Sequence, residues 1–296
     1  MKVLAAVDFS DSSLEALRQA RELAQGADVA ACHVLPAITD LAALFPDQYI
    51  ESRRNLVAEE AQLKKQIAEY AHSKLGLAFS EVFVDRGSAY AEIVRRAESW
   101  HADCVAVGTH GRTGLARVVL GSVAELVVRH AHCSVLVARP AQKSGVVLAA
   151  TDLSDPSLPT IAAGAEAAKR TGSRLVVVSV LEWNPTSAAA GLIGAMPALP
   201  PPDVQKQLHA ALKTALEGAV QGAGIAAGGV PVETRVLDGS AASAIVSTAD
   251  ELGAELVVVG THGRTGLARL ALGSVAERVV RAASSSVLAV RLRPQA

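Results

Sequence analysis

The sequence predicts an α/β protein that contains two tandem, doubly wound, parallel sheets of five strands each. Two observations support this fold class: short apolar runs alternate with helix-like segments, and the whole pattern occurs twice within 296 residues. Aromatic residues make up only 3% of the chain, so Ala, Val and Leu supply most of its apolar half. That composition is typical of parallel strands covered by helices on both faces.

The duplication is visible as pairs of matching segments. Three segments of the first copy recur in the same order in the second: 3–11 at 147–155, 84–94 at 237–246, and 108–117 at 260–269. The third pair is identical (GTHGRTGLAR), and the second pair matches with one residue fewer in the second copy. Pro, Lys, Ser and Gly near 139–145 suit a short linker. We therefore predict domains at 1–140 and 146–296.

Each copy contains an alternation of strands and helices. The predicted strands are apolar runs rich in Ala, Val and Leu, whereas the predicted helices space their apolar residues three or four positions apart. In the first copy the elements are strand 2–7, helix 12–25, strand 29–35, helix 48–75, strand 78–85, helix 89–100, strand 104–107, helix 123–131 and strand 134–138. In the second copy they are strand 146–151, helix 159–171, strand 175–181, helix 204–223, strand 230–237, helix 241–252, strand 256–259, helix 274–282 and strand 286–291. Gly26 and Gly76 follow the first two helices as predicted stops.

The ends of two strands in each copy carry residues suited to a ligand site. Ligands of doubly wound sheets bind beyond the carboxyl ends of the strands, where the strand order reverses. The first strand is followed by Asp8 or Asp152, and the fourth strand by Gly108 or Gly260. If the first and fourth strands are neighbours, each carboxylate lies near the glycine-rich loop. The sequence therefore predicts one site per copy at this edge.

The glycine-rich loop has the spacing G-x2-G-x9-G-S in both copies. Its members are Gly108, Gly111, Gly121 and Ser122, and Gly260, Gly263, Gly273 and Ser274. Glycines let the backbone approach a ligand closely, and a helix that begins at the serine attracts phosphate to its N-terminus. The loop lacks the GK[ST] ending of a P-loop, so the lysine and Mg²⁺-serine roles of that motif are missing. The alternative is a tight turn followed by a helix N-cap.

Other polar residues near the loop also have two interpretations. Asp8 could be the N-cap of the following helix, although Ser10 and Ser154 fit capping better. Arg112 and Arg264 are candidates to neutralise phosphate, with a solvated loop tip as the alternative.

The repeated motif, and nearly the whole chain around it, resembles the universal stress protein family in its tandem, ATP-binding form. The resemblance implies a Rossmann-like, adenine nucleotide alpha hydrolase-like fold with pseudo-twofold symmetry, and two ATP sites with Mg²⁺ as the accompanying ion. The cofactor-binding residues implied for the first copy are Asp8, Val34, Val107, Gly108, Gly111, Arg112, Gly121, Ser122 and Val123. Those for the second copy are Asp152, Val180, Val259, Gly260, Gly263, Arg264, Gly273, Ser274 and Val275. The glycines and serines would hold phosphates, the aspartate the ribose or adenine edge, and the strand valines the base.

The function that the resemblance implies is an ATP-binding stress-response or signalling module, in which occupancy changes a contact with a protein partner. No catalytic residue is predicted, because neither copy supplies an evident general base. Two alternatives stay open: a slow ATPase or autophosphorylating enzyme, and a scaffold that binds another ligand or a protein. The resemblance also implies that the fifth strands pair as an intramolecular pseudo-dimer, with homodimerisation as a further step.

The composition of the chain also predicts its partners and its cellular compartment. The formal net charge is −1 and no basic block stands out, so we expect no nucleic-acid partner. The sequence contains no apolar run of about 18 residues or more, so we expect no membrane span. The three cysteines are scattered and odd in number, which favours a reducing cytoplasm.

Two more features have competing interpretations. His130, His132 and Cys133, with His101 as an addition, suggest a metal cluster, but the second copy has Ala and Ser at the equivalent positions. We therefore predict no metal site. The segment 182–203 is either a surface connection or an apolar contact that covers the second site or meets a partner.

Overall fold

The computed structural model describes residues 1–25, 28–36, 46–109, 120–140, 144–155, 157–182, 201–224, 229–261 and 272–291. The chain divides into two compact units, of which the first covers Met1–Pro140 and the second begins at Ala141. Within the described residues, each unit contains five strands, four helices and a buried core.

The first unit alternates strands and helices along its described length. Its elements are β1 (Val3–Ala6), α1 (Asp11–Ala24), β2 (Val29–Leu35), α2 (Pro46–Leu75), β3 (Glu81–Arg86), α3 (Ala89–Ser99), β4 (Cys104–Gly108), α4 (Ser122–His130) and β5 (Ser134–Ala138). The strand order is β3-β2-β1-β4-β5, and the paired strands are parallel. The chain runs outward from β1 to β3 and then crosses back to β4, so the order reverses between β1 and β4.

The second unit repeats this topology. Its elements are β6 (Val146–Ala150), α5 (Pro159–Thr171), β7 (Arg174–Leu181), α6 (Pro202–Gly222), β8 (Val232–Asp238), α7 (Ala241–Glu251), β9 (Leu256–Gly260), α8 (Ser274–Ala282) and β10 (Ser286–Val290). The strand order is β10-β9-β6-β7-β8, again with parallel pairs. In this unit the reversal lies between β6 and β9. The two units therefore have the same switch point, and the predicted fold class is confirmed. The predicted pseudo-twofold arrangement of the units stays a prediction.

Helices cover both faces of each sheet, as the low aromatic and high aliphatic content predicts. In the first unit, α1 packs on β1 and β4 and contacts α2, whereas α3 packs on β2 and contacts α4. In the second unit, α5 packs on β6 and β9, and α7 contacts α8. The central strands β1, β4, β6 and β9 are buried except at the last residue of β1, β4 and β9, because both of their faces lie under helices. Within the described residues, no helix combines the length and apolarity that crossing a membrane requires.

Two predicted helix ends differ from the structure. Helix α1 ends at Ala24, and its C-cap Gln25 takes the left-handed conformation with φ 45° and donates its N–H to the carbonyl of Arg21. The predicted stop, Gly26, lies outside the described residues. The prediction that Ser154 caps α5 is wrong, because α5 begins after Leu158 and has no side-chain cap. The Ser154 carbonyl instead accepts from the N–H groups of Ser157 and Leu158 in an intervening turn.

Strand register also corrects one sequence match. Matching 84–94 to 237–246 with a missing residue aligns Asp85 with Asp238. In the sheet, however, Asp85 lies opposite Val34, and Leu237 lies opposite the equivalent Val180. Asp85 therefore corresponds to Leu237, since the strands align without a gap. The structure thus replaces an apparent identity with a change from a carboxylate to an apolar residue.

Candidate functional site

The turn after β1 fixes the orientation of Asp8. The carboxylate oxygen Oδ1 of Asp8 accepts from the backbone N–H of Ser10 at 3.0 Å and from its hydroxyl at 2.6 Å. The Ser10 hydroxyl oxygen in turn accepts from the N–H of Ser13, so Ser10 is the N-cap of α1, as predicted. Phe9, between them, has a φ of 66°. A bulky side chain rarely adopts that conformation, so this turn is locally strained.

The second unit has the same turn with different side chains. Oδ1 of Asp152 accepts from the N–H of Ser154 at 3.0 Å and from its hydroxyl at 2.5 Å. Leu153 has a φ of 60° and therefore repeats the strain at Phe9. Strain that persists at the predicted ligand edge of both units indicates a geometric requirement on the aspartate.

Gly108 is required by packing between β4 and α1. A Cβ atom at this position would lie 2.6 Å from the carbonyl carbon of Ser12 and 2.7 Å from its side chain. Gly108 and its neighbour Val107 also line the cavity described below. The sequence interpretation assigned Gly108 to close approach of a ligand. The structure adds a different reason for the glycine, which is the close approach of the first turn of α1.

A backbone hydrogen bond ties together the two ends of each glycine-rich segment. The N–H of Gly121 donates to the carbonyl of Thr109 at 2.7 Å, and the N–H of Gly273 donates to that of Thr261 at 2.8 Å. Gly121 and Gly273 are the N-caps of α4 and α8. The first N–H groups of these helices, beginning at Ser122 and Ser274, have no partner within the helix. Free N–H groups and the helix dipole at a helix N-terminus generally favour negative charge.

The first unit contains a cavity of about 290 Å³ at the carboxyl end of β1, β2 and β4. It is lined by Ala6, Val7, Asp8, Ser13, Cys32, Val34, Ala89, Ile93, Val107, Gly108, Thr109, Gly121, Ser122, Val123 and Ala124. The structure therefore gathers the predicted residues Asp8, Val34, Val107, Gly108, Gly121, Ser122 and Val123 around one space. Of the remaining predicted residues in this unit, Gly111 and Arg112 lie outside the described part of the chain.

Strand order arranges the chemistry of the cavity from one end to the other. Cys32 and Val34 of β2, with Ile93 of α3, form an apolar end. Asp8 follows β1 at the centre, and the N-terminus of α4 lies beyond β4 at the far end. The cavity thus combines an apolar surface, a carboxylate and a helix N-terminus in that order.

The second unit places its predicted residues at equivalent positions. Val178 lies opposite Ala150 just as Cys32 lies opposite Ala6, so Val180 corresponds to Val34. The other members occur at the matching ends of strands and helices: Asp152 after β6, Val259 and Gly260 at the end of β9, Gly273 as N-cap, and Ser274 and Val275 in α8. Gly263 and Arg264 fall outside the described residues. Ligand binding by either set stays a prediction.

Sequence reasoning missed a charged cluster beside the cavity. The Asp85 side chain is only 8% exposed and accepts from Nε of Arg96 at 2.9 Å and from Arg95 at 2.9 Å. The Arg96 guanidinium also lies over the Phe83 ring, 4.4 Å from its centroid. The Cys32 thiol lies 3.9 Å from Oδ2 of Asp85. Cys32 lies two residues before Val34 on β2, and residues two apart on a strand share one face. That spacing was the signal that could have placed Cys32 at the cavity.

The charges of this cluster are fixed by its surroundings. Burial opposes ionisation of Asp85, but the hydrogen bonds and positive charges of Arg96 and Arg95 outweigh it, so the pKa of Asp85 is lowered. Burial, together with the negative charge of Asp85, raises the pKa of Cys32 to about 12. At neutral pH the carboxylate is therefore charged and the thiol is protonated.

The histidine cluster considered from the sequence has other contacts. The His130 ring lies 5.6 Å from that of Tyr90 between centroids, and Cys133 is buried. Over the described residues, no group of three His, Cys, Asp or Glu side chains is placed to hold a metal ion.

Both units of the chain are similar to known proteins. The family model described as the universal stress protein family matches residues 1–139 and again residues 144–291. Universal stress protein Rv2005c of Mycobacterium tuberculosis is 32% identical over 244 residues, which cover 80% of this chain and 76% of that protein. Universal stress protein MJ0531 of Methanocaldococcus jannaschii is 35% identical over 144 residues, covering 48% of this chain and 84% of that protein.

Solved structures share the fold. A universal stress protein from Archaeoglobus fulgidus aligns with a TM-score of 0.65 at 20% identity, covering 99% of this chain and 98% of that chain. The fold and the cavity define a tandem α/β protein with its candidate site at the switch point of a parallel sheet. The chain belongs to the universal stress protein family and contains two copies of the family's domain.

Replacing Gly108 with Ala will destabilise the first unit. The added methyl group meets the backbone of α1, and overpacking of this kind costs about 1–3 kcal/mol of unfolding free energy. Urea denaturation of the full chain measures the change. Gly218→Ala is the matched control, because open space surrounds that exposed position in α6, and the substitution there stabilises a helix by about 0.5–1 kcal/mol. Equal stability of Gly108→Ala and the wild type would contradict the packing assignment.

Replacing Asp85 with Asn will lower stability in a pH-dependent way. The folded-state pKa of Asp85 lies below its ordinary value, so its contribution is present above about pH 4 and is lost as pH falls through the folded-state pKa. We expect a loss of roughly 1–3 kcal/mol at pH 6 that shrinks towards pH 3. Urea denaturation at several pH values measures it.

Glu69→Gln provides the control for Asp85. Glu69 forms an exposed ion pair with Lys65 at 3.7 Å, so its replacement should cost less than about 0.5 kcal/mol. A pH-independent deficit in Asp85→Asn would show that lost packing, rather than the charged pair, causes the effect.

Proposed function

We propose that each unit binds ATP with Mg²⁺ and that the protein acts as a nucleotide-dependent stress-response or signalling module. The observation that supports this most directly is the cavity of the first unit. It brings an apolar end, a central carboxylate and a helix N-terminus together at a switch point. A nucleoside phosphate has matching chemical groups in the same spatial order: the base, the sugar and the anionic phosphates.

The helix end of the cavity suits the phosphates. Ser122, Val123 and Ala124 line it and form the first turn of α4. Their backbone N–H groups and the helix dipole favour negative charge, and the Ser122 hydroxyl adds a donor. Among the described lining residues, Asp8 is the only carboxylate, and it lies at the centre rather than at this end. Mg²⁺ would therefore be held chiefly by phosphate oxygens and water.

The centre and the apolar end suit the nucleoside. The Asp8 carboxylate can accept from ribose hydroxyls, and Ser10 holds it in place through two hydrogen bonds. Val34, Ile93 and Val107 offer apolar surface for the faces of a base. The register equivalence of Val180 and Val34 and the matching turn at Asp152 support a second site of the same kind.

The chemistry of the cavity favours binding over catalysis. Oδ1 of Asp8 already accepts two hydrogen bonds from Ser10, which weakens it as a general base. Occupancy would then be the signal, transmitted through a contact with a partner protein. A cytoplasmic location is part of the proposal and is supported by three free, buried cysteines.

Ser122→Asp and Ser274→Asp will each remove one ATP site. An aspartate in the first helical turn repels phosphate but is favourable to the helix dipole, so the fold is retained. Isothermal titration of nucleotide-free full-length protein with ATP and Mg²⁺ should give two sites in the wild type, one in each single variant and none in the double variant. We expect affinity at the altered site to fall by roughly 100-fold.

Val204→Asp is the matched control, because it adds the same charge to the first turn of a different helix, α6, at a position with 40% exposure. It should keep both sites. Two sites of unchanged affinity in Ser122→Asp would rule out phosphate binding at α4. Phosphate release above background that the double variant abolishes would favour the slow-enzyme alternative instead.

A further inference from the structure

The two units differ in the wall behind the apolar end of the site. In the first unit this wall contains Cys32, Asp85 and Arg96, joined by hydrogen bonds. Register aligns Val178 with Cys32 and Leu237 with Asp85. Counting from the helix N-caps Ser88 and Ser240, Arg95 and Arg96 correspond to Ser247 and Thr248.

These replacements act together rather than singly. A buried carboxylate requires compensating charge, so the loss of Asp85 removes the need for the arginines. The first unit retains the whole polar set, and the second unit has a neutral residue at every one of these positions. The first wall therefore pairs a buried carboxylate with arginines, whereas the second wall has no charged residue at any of these positions.

The polar wall controls what Cys32 presents to the cavity. The Asp85 carboxylate, held by both arginines, is an acceptor that lies 3.9 Å from the Cys32 sulfur. The protonated thiol therefore donates its hydrogen to Asp85, away from the cavity. Only the lone pairs of the Cys32 sulfur are then left to contact a ligand, and they are weak hydrogen-bond acceptors. Val178 in the second unit offers neither donor nor acceptor.

We propose that Cys32, positioned by Asp85 and Arg96, makes the first site selective for a base that carries an amino group at the edge facing β2. Such a base donates to the sulfur, whereas a carbonyl at the same place meets an acceptor. The second site lacks this discrimination because Val178 contacts either base equally. The proposal rests on nucleotide binding at the two proposed sites and adds that the sites are not equivalent.

ATP and ITP are the probes, because they differ only along one edge of the base: adenine has an amino group and an acceptor ring nitrogen there, whereas hypoxanthine has a carbonyl and a ring N–H. Titration of the full-length Ser274→Asp variant reports on the first site, and titration of Ser122→Asp reports on the second. Backbone contacts along β2 and β7 are equivalent in the two units, so they cancel in the comparison. We expect the first site to prefer ATP over ITP by roughly fivefold more than the second site does.

Two substitutions in the Ser274→Asp background test the role of Cys32. Cys32→Val installs the residue of the second unit and should reduce the ATP preference to that of the second site. Cys32→Ser keeps a group that donates to Asp85 and accepts from a ligand, so it should retain the preference. Urea denaturation of each variant establishes that it is folded, and the serine variant supplies the comparison if the valine variant is not.

The outcomes separate this inference from the proposed function. Binding of both nucleotides with the same preference at the two sites would overturn the inference and leave nucleotide binding intact. Loss of the preference in Cys32→Ser as well as in Cys32→Val would assign it to packing and also overturn the inference. Absence of binding by either nucleotide at either site would overturn the proposed function itself.

Discussion

The parallel pairing of β1 with β4 is the constraint on which the rest of the first unit depends. The chain leaves these neighbouring strands in opposite directions, which opens space at their carboxyl ends. Asp8 and the N-terminus of α4 meet there only because the strands are adjacent. The pairing also brings Ser12 so close to Gly108 that a side chain has no room. The same pairing of β6 with β9 organises the second unit.

Much of this arrangement could be predicted from the sequence. Strand and helix periodicity, repeated in two copies, predicted each strand and helix that the structure describes, with small errors at their ends. The positions of Asp8, Val34, Gly121 and Ser122 relative to those elements were sufficient to bring them to one edge of the sheet, because parallel strands share their carboxyl ends. The spacing of residues along the sequence was therefore enough to predict the location of those site residues that the backbone alone positions.

Features that depend on contacts between distant residues could not be predicted. Gly108 must be glycine because Ser12 of α1, far away along the chain, packs against it. No sequence motif predicts that contact. Ser154 resembles a cap by composition, but the extra turn before α5 gives it a different partner. Letter-by-letter matching aligned Asp85 with Asp238, and only strand register showed that an apolar residue replaces it. The cluster at Cys32 was hidden for the same reason.

The hydrogen bonds from Gly121 to Thr109 and from Gly273 to Thr261 have a consequence for protein engineering. Each bond joins the two ends of an intervening segment directly to the fold, so the start of the following helix is held independently of what lies between. The entropic cost of lengthening such a closed segment grows only slowly. A peptide inserted between the bonded ends is therefore expected to cost the fold little stability.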